Sequence, residues 1–292
     1  MTDLSRRTTK LVADALAMES ESAAEAGTLG YMARALVQAT IPHSKTEGTT
    51  FIRTNGDYRL SISNEELGLP YGSIPRLLLA WLATEATRTK SREIILGSSL
   101  SEFMGHLDMV PTGGRKGTIT MFKKQAARLF SSTIRCSYTS SERYAVKNIV
   151  VADEADIWWS PSSPGQHGLM DSTVKLSQPF YDEILNNPVP VDMRALQALR
   201  KSPMALDLYC WSTYRVSYLK GRAFIPWEGL QAQFGSSYPD TQRGKRNFKT
   251  KFVEALKKVA LVYPGLNADP LPDGLELRPS RTHIPKTVVA DD

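Results

Sequence analysis

Cysteine is nearly absent: Cys136 and Cys210 are the only two in 292 residues. They stand far apart, and no Cys-x-x-Cys pair or Cys/His cluster accompanies them, which speaks against a structural zinc. Both are expected as buried or half-buried thiols in a reducing cytoplasm. Histidine is just as sparse. His43, His106, His167 and His283 are scattered, so the paired histidines and adjacent nucleophilic tyrosine of a DNA-nicking enzyme are missing. No Walker A spacing occurs. Gly113-Gly-Arg-Lys-Gly117 is glycine-rich and basic, and reads as a turn near phosphate, not as a nucleotide loop. Asp153, Glu154 and Asp156 could in principle hold Mg²⁺, but a solvated loop is the simpler account. Trp158 and Trp159 beside them read as core or interface anchors. The chain is therefore expected to be no enzyme and to need no cofactor or metal.

Long apolar runs are also lacking. No stretch reaches the ~18 apolar residues of a membrane span. The N-terminus is not expected to be a secretory leader, because Asp14, Glu19 and Glu21 stand where its apolar core should be. Cytoplasmic residence in a bacterium is expected.

What is present is an ordinary globular balance, with 41% hydrophobic and 23% charged residues. The length suits about two domains. Residues 1–50 read as a helical arm and linker: an amphipathic helix over Leu4–Ala26, a short helix over Tyr31–Ala39, then a linker. Residues 51–187 and 188–278 read as two domains divided near Pro188-Val-Pro190, and residues 279–292 as a polar tail expected to be disordered. In the first domain, Asn55-Gly56-Asp57 marks a hairpin. A core helix follows from Ser73, with Pro75 in its first turn. Then come a strand over Arg92–Leu96, a short helix from Leu100, the glycine turn, a helix from Thr118, and a hairpin over Ser132–Tyr138 and Arg143–Val151. The second domain repeats this order. A helix from Pro203 precedes a short helix over Trp227–Phe234, the turn Gly235–Pro239, a long helix over Thr241–Ala260 and a short strand pair around Asp273-Gly274.

Net charge is +6, and its placement is informative. Residues 111–130 carry Arg115, Lys116, Lys123, Lys124 and Arg128 without an acid. Ile119, Phe122, Ala126 and Leu129 form the apolar stripe. Residues 241–260 carry Arg243, Lys245, Arg246, Lys249, Lys251, Lys257 and Lys258 against Glu254 alone, over a stripe of Phe248, Phe252, Leu256 and Val259. Such crowding costs a few tenths of a kcal/mol per i,i+4 pair, and a phosphate backbone would relieve it. Short helix, turn, basic helix and hairpin is the order of a winged helix-turn-helix, whose second helix enters the major groove. The expected fold is α+β, with two tandem winged helix-turn-helix domains and an N-terminal helical arm. Double-stranded DNA is the expected partner, bound through salt-sensitive contacts. Thr118, Thr120, Gln125, Gln242 and Asn247 join the bases above as candidates for groove or phosphate hydrogen bonds.

Leu67-Gly-Leu-Pro-Tyr-Gly-Ser-Ile-Pro-Arg76, the following LLLAWLATEATRTKSREIILGSSLSEFMGHLDM, and TGGRKGTITMFKKQAARLF resemble the RepA-type plasmid replication initiators. Both the "YG-x-x-PR-LLL-W" and the "G-x-S-x-x-EF" patterns stand here, and the resemblance runs from about Phe51 to about Thr282. It implies a tandem winged-helix initiator that binds direct repeats (iterons) at a plasmid origin, helps open an AT-rich segment, and recruits the host initiator and helicase. It makes the helices over Gly117–Phe130 and Thr241–Ala260 the two recognition helices, and implies a homodimer in equilibrium with a monomer.

Three other classes remain open at this point. A winged-helix transcription regulator without replication activity shares the DNA fold. An origin-acting enzyme would show metal-dependent cleavage or synthesis. An interaction protein would offer its basic faces to an acidic partner, and the N-terminal helix, with its acid-rich segment 19–25, could itself dock on a basic helix and mask it.

Overall fold

The computed structural model describes residues 3–97, 99–157, 172–235 and 237–285. Trp158, Trp159 and His167 lie outside the described residues, as does the end of the expected tail, 286–292. The chain forms two compact units, one of Tyr31–Pro188 and one of Met1–Gly30 with Val189–Asp292. The class is α+β.

The chain opens with α1 (Asp3–Ser20) and β1 (Leu29–Ala33), within which it passes into the central unit. There follow α2 (Arg34–Gln38), β2 (Thr50–Asn55), β3 (Tyr58–Ser63), α3 (Ser73–Thr89), β4 (Glu93–Gly97), α4 (Leu100–His106) and α5 (Thr118–Phe130). The unit continues through β5 (Thr133–Thr139), β6 (Tyr144–Val150), β7 (Ala152–Asp156), β8 (Ser172–Leu176) and α6 (Gln178–Asn186). At β9 (Pro188–Asp192) the chain returns to the outer unit. It then forms α7 (Met193–Leu199), α8 (Pro203–Tyr218), β10 (Ala223–Pro226), α9 (Trp227–Phe234), α10 (Gln242–Val262), β11 (Ala268–Pro270) and β12 (Gly274–Leu277).

In the central unit, β2, β3, β5 and β6 make a four-stranded antiparallel sheet in that order. Period-2 alternation sends Phe51, Ile62, Ile134 and Ile149, aligned in one register row, into the core. Gly56, at φ 56°, supplies the left-handed residue that the β2–β3 turn needs. On α3, Leu77, Leu78, Leu82 and Ala86 are buried. Gly72 occupies the N-cap, and no side chain caps there.

The resemblance motif has a structural meaning. Arg76 is only 3% exposed. Its Nη1 donates to the carbonyls of Pro42 (3.0 Å) and Gly72 (2.7 Å), and its Nη2 to that of Ile41 (2.6 Å). One guanidinium thus pins residues 41–42 to the first turn of α3, and its burial is tolerated because carbonyl dipoles solvate it.

A second sheet of this unit runs β4-β8-β7. The acidic triplet read as a loop is in fact its edge strand β7. Arg92 pairs with Asp153 (2.5 Å) and Lys175 with Glu154 (3.0 Å). Charge on an edge strand discourages further strand pairing.

In the outer unit, β10-β12-β11 form a three-stranded sheet. Its order matches that of β4-β8-β7. In each, the strand before a short helix pairs with the second strand of a hairpin that comes after a basic helix. The hairpin standing in that place in the central unit is therefore β7–β8, and β5–β6, expected there, is an extra hairpin within the four-stranded sheet.

The expected arm does not stand apart. Residues 1–30 belong to the outer unit, where α1 packs on α7 and α10, while residues 31–50 belong to the central one. In the acid-rich turn after α1, the Glu25 carboxylate accepts from the Ser22 amide (3.0 Å) and hydroxyl (2.6 Å). Asp192 anchors this region. Its carboxylate caps α7 at the Arg194 amide (2.9 Å) and accepts from the Thr28 hydroxyl (3.1 Å), while the Arg194 guanidinium reaches the Glu21 carbonyl (2.9 Å).

Nor is the start of the tail disordered. The buried Tyr209 hydroxyl accepts from the Asp192 amide (2.9 Å) and lies 2.7 Å from His283 Nδ1, while Tyr263 donates to the Arg281 carbonyl (2.7 Å). Burial holds the His283 imidazole below its ordinary value of 6.5, outweighing the pull of Asp192. A neutral ring leaves Nδ1 to accept from Tyr209.

Two outcomes are expected. Arg76→Met should lower stability by about 2–4 kcal/mol in urea unfolding, since the carbonyls it serves lose a charged donor. As pH falls below about 6.5, the unfolded chain protonates His283 before the folded chain does, so stability present above that value is lost on acidification. His283→Gln should weaken this loss when unfolding is compared at about pH 7.5 and about pH 5.5; an identical decline in both proteins would exclude His283 as its source.

Candidate nucleic-acid interface

Each unit presents one basic helix, and each is seated by the same device. Trp81 on α3 meets Phe103 on α4 edge-on at 4.8 Å, and Phe103 meets Phe122 on α5 edge-on at 5.5 Å. Trp211 on α8 meets Phe234 on α9 at 5.6 Å, and Phe234 meets Phe252 on α10 at 5.9 Å, again edge-on. Edge-to-face rings add about 0.5–1.5 kcal/mol per pair beyond burial and fix the angle between the helices that carry them. Trp81 and Phe103 each belong to one of the two resemblance patterns.

On α5, Phe122, Gln125, Ala126, Leu129 and Phe130 are buried. Gln125, expected to face DNA, is 1% exposed, and its Oε1 accepts from the Tyr71 amide (2.9 Å). Arg128 reaches the same loop: its Nε donates to the Leu67 carbonyl (2.9 Å), and its guanidinium lies 5.5 Å from the Tyr71 ring centroid. Thr118 and Thr120 hold the preceding turn. The Thr118 amide donates to Thr112 Oγ1 (2.9 Å), the Thr112 amide to Thr118 Oγ1 (2.8 Å), and Thr118 Oγ1 to the Val110 carbonyl (2.6 Å). Thr120 Oγ1 donates to the Gly114 carbonyl (2.9 Å). Arg115, Lys116 and Lys124 are exposed, and Lys123 is half-buried.

On α10, Gly244, Phe248, Phe252, Ala255, Leu256, Val259 and Val262 are buried. Thr241 caps the helix by accepting from the Gly244 amide (3.1 Å). Gln242, Arg243, Arg246 and Asn247 are exposed on the other side. Thr250, one turn beyond Arg246, shares that face. The sequence reading passed over it, although its i+4 spacing from Arg246 was visible. Three lysines are engaged nearby: Lys245 with Asp240 (3.1 Å), Lys251 with Glu254 (2.8 Å), and Lys249 with the Pro272 carbonyl (2.7 Å). The Asp240 and Glu254 carboxylates raise the pKa of Lys245 and Lys251, which keeps both ammonium groups charged.

Among the described residues, no group of three or more His, Cys, Asp or Glu gathers to hold a metal, and no helix is long and apolar enough to cross a membrane.

No curated protein matches the sequence. A family profile described as plasmid encoded RepA protein matches residues 69–228, more than half of the chain. Among solved structures, a crystal structure of selenomethionine derivatives of domain 2 and domain 3 of RctB superposes with a TM-score of 0.53 at 9% identity, covering 81% of this chain and 93% of that one. A crystal structure of RctB domains 2-3 gives 0.49 at 9% identity, covering 83% and 96%. At such identity the likeness concerns the fold alone, and only the first of the two is close enough to carry it.

The start of α10 has no room for a side chain at Gly244, where an added Cβ would lie 2.0 Å from the Pro239 carbonyl oxygen. Gly244→Ala is expected to lower stability by about 1–3 kcal/mol. Gly229→Ala on α9, where the nearest atom is 3.8 Å from the added Cβ, should not do so. Equal thermal midpoints for both variants would show that the turn yields.

Proposed function

The chain belongs to the plasmid encoded RepA protein family, and on that premise we propose that it is a plasmid replication initiator built from two winged helix-turn-helix modules. It binds direct repeats in double-stranded origin DNA, promotes opening of an adjacent AT-rich segment, and recruits the host helicase and host initiator. It works in the bacterial cytoplasm as a monomer in equilibrium with a homodimer, and it does so without enzymatic chemistry of its own.

The observation that supports this reading best is the doubled arrangement. α3, β4, α4, α5, β7 and β8 come in the same order as α8, β10, α9, α10, β11 and β12, with β5 and β6 inserted between α5 and β7. Each series has a Trp–Phe–Phe seat and a three-stranded sheet of the same order. In both, the third helix is the basic one, the position that enters the major groove in a winged helix. Arg243, Arg246, Asn247, Gln242 and Thr250, exposed on one module, would serve base edges and phosphates. Arg115, Lys116 and Lys124, exposed on the other, would serve phosphates.

A footprint on the DNA flanking the chain's own gene, at two salt concentrations, tests the reading. Evenly spaced protection over direct repeats, fading with salt, is the expected result. A single palindromic footprint would point to a transcription regulator instead, and no footprint at either salt would sink the DNA reading. Arg246→Gln should reduce the slope of log affinity against log salt by about one.

A further inference from the structure

We propose that Trp227 and Lys249 are positioning residues that latch the tip of the β11–β12 hairpin to the basic helix α10, so that helix and hairpin engage DNA as one rigid surface. The inference rests on the DNA-binding reading above and assigns Lys249 a role other than phosphate contact.

The hairpin is short, three residues on β11 and four on β12. A strand pair of that length is marginal by itself, and β10 pairs with β12 but not with β11 or the tip. Its tip carries three successive carbonyls, and all three are taken by α9 and α10. The Trp227 indole N–H donates to the carbonyls of Leu271 (3.2 Å) and Pro272 (3.0 Å), and the Trp227 amide donates to that of Asp273 (3.2 Å). Lys249 Nζ donates to the Pro272 carbonyl (2.7 Å) while lying 5.0 Å from the Trp227 ring centroid. The same indole meets Phe252 of α10 edge-on at 5.5 Å. A Cβ at Gly274 would come within 2.3 Å of the Ile225 carbonyl oxygen, so the close approach of hairpin and β10 requires glycine there.

A latch and a phosphate contact differ in what salt reveals. Removing a cation bound to phosphate lowers the number of counterions released, and with it the salt slope. Removing a latch leaves that number unchanged and lowers affinity alike at every salt concentration.

The test uses the full chain, mixed-sequence duplex DNA as probe, and Lys249→Met, which keeps the apolar stem. Titrations run from about 50 to about 200 mM salt. Lys249→Met should weaken binding roughly three- to tenfold at each concentration with the wild-type slope, whereas Arg246→Gln lowers the slope. Trp227→Phe, which retains a ring but no indole donor, should do the same as Lys249→Met. The double variant should weaken binding no further than the worse single one, since both break one latch. Amide hydrogen exchange over residues 271–277 should quicken in both single variants, a readout that needs no DNA. A slope reduced by about one in Lys249→Met would make Lys249 a phosphate contact and overturn the proposal. Unchanged exchange in both variants would overturn the latch itself. Faster exchange together with a wild-type chain that binds no duplex would instead overturn the DNA reading, and the latch's role in it.

Discussion

Aromatic packing around Phe252 and Phe248 seats α10 on the core of its unit. Phe252 touches Phe234, Trp227 and Phe248, and Phe248 touches Tyr238. The opposite side of the same helix carries seven bases and one acid between residues 241 and 260. Repulsion among those bases favours melting the helix, by a few tenths of a kcal/mol for each close pair. The ring contacts and the burial of the apolar stripe exceed that cost several times over. Charge density on the outer face is thus conditional on aromatic packing on the inner one. The smaller set of Trp81, Phe103 and Phe122 serves the less crowded α5 in the same way.

Within the basic faces, charge and position are separate matters. Arg128 is basic, yet it braces the loop that begins the resemblance motif, and Gln125 does so beside it. Thr118 and Thr120 shape the glycine turn. These side chains set where the turn lies. Arg115, Lys116 and Lys124 are the bases whose charge is exposed. A composition count cannot distinguish the two groups, because both look like polar residues on an amphipathic helix.

Much of the architecture was legible in the sequence where the signal is local. Asn55-Gly56-Asp57 announced the first hairpin. The 3.6-residue spacing of Phe122, Ala126 and Leu129, and of Phe248, Phe252, Leu256 and Val259, announced both basic helices. What escaped depends on partners remote in the chain. β7 reads as a solvated loop because Asp153, Glu154 and Asp156 show no apolar alternation; it is a strand because β8, some twenty residues later, pairs with it. Tyr31–Ala33 lies within β1 and not in a helix, and the segment that follows it is held by the Asn187 carbonyl, more than 150 residues away. Arg76 looks like a surface base until residues 41–42 are placed against it. The first thirty residues resemble an appendage only until α7 and α10 are present to receive them.

The two seats also differ in register. Phe122 is the fifth residue of α5, whereas Phe252 is the eleventh of α10. Measured from equivalent rings, α10 extends about six residues further toward its N-terminus, roughly 9 Å of additional helix. In the central unit that length is taken up by the glycine turn. The bases of α10 are therefore carried on regular helix from its first turn, whereas in the central unit Arg115 and Lys116 sit on the turn before α5. A helix fixes the spacing of its side chains along one axis and a turn does not, so the two units hold their exposed charge in different geometries.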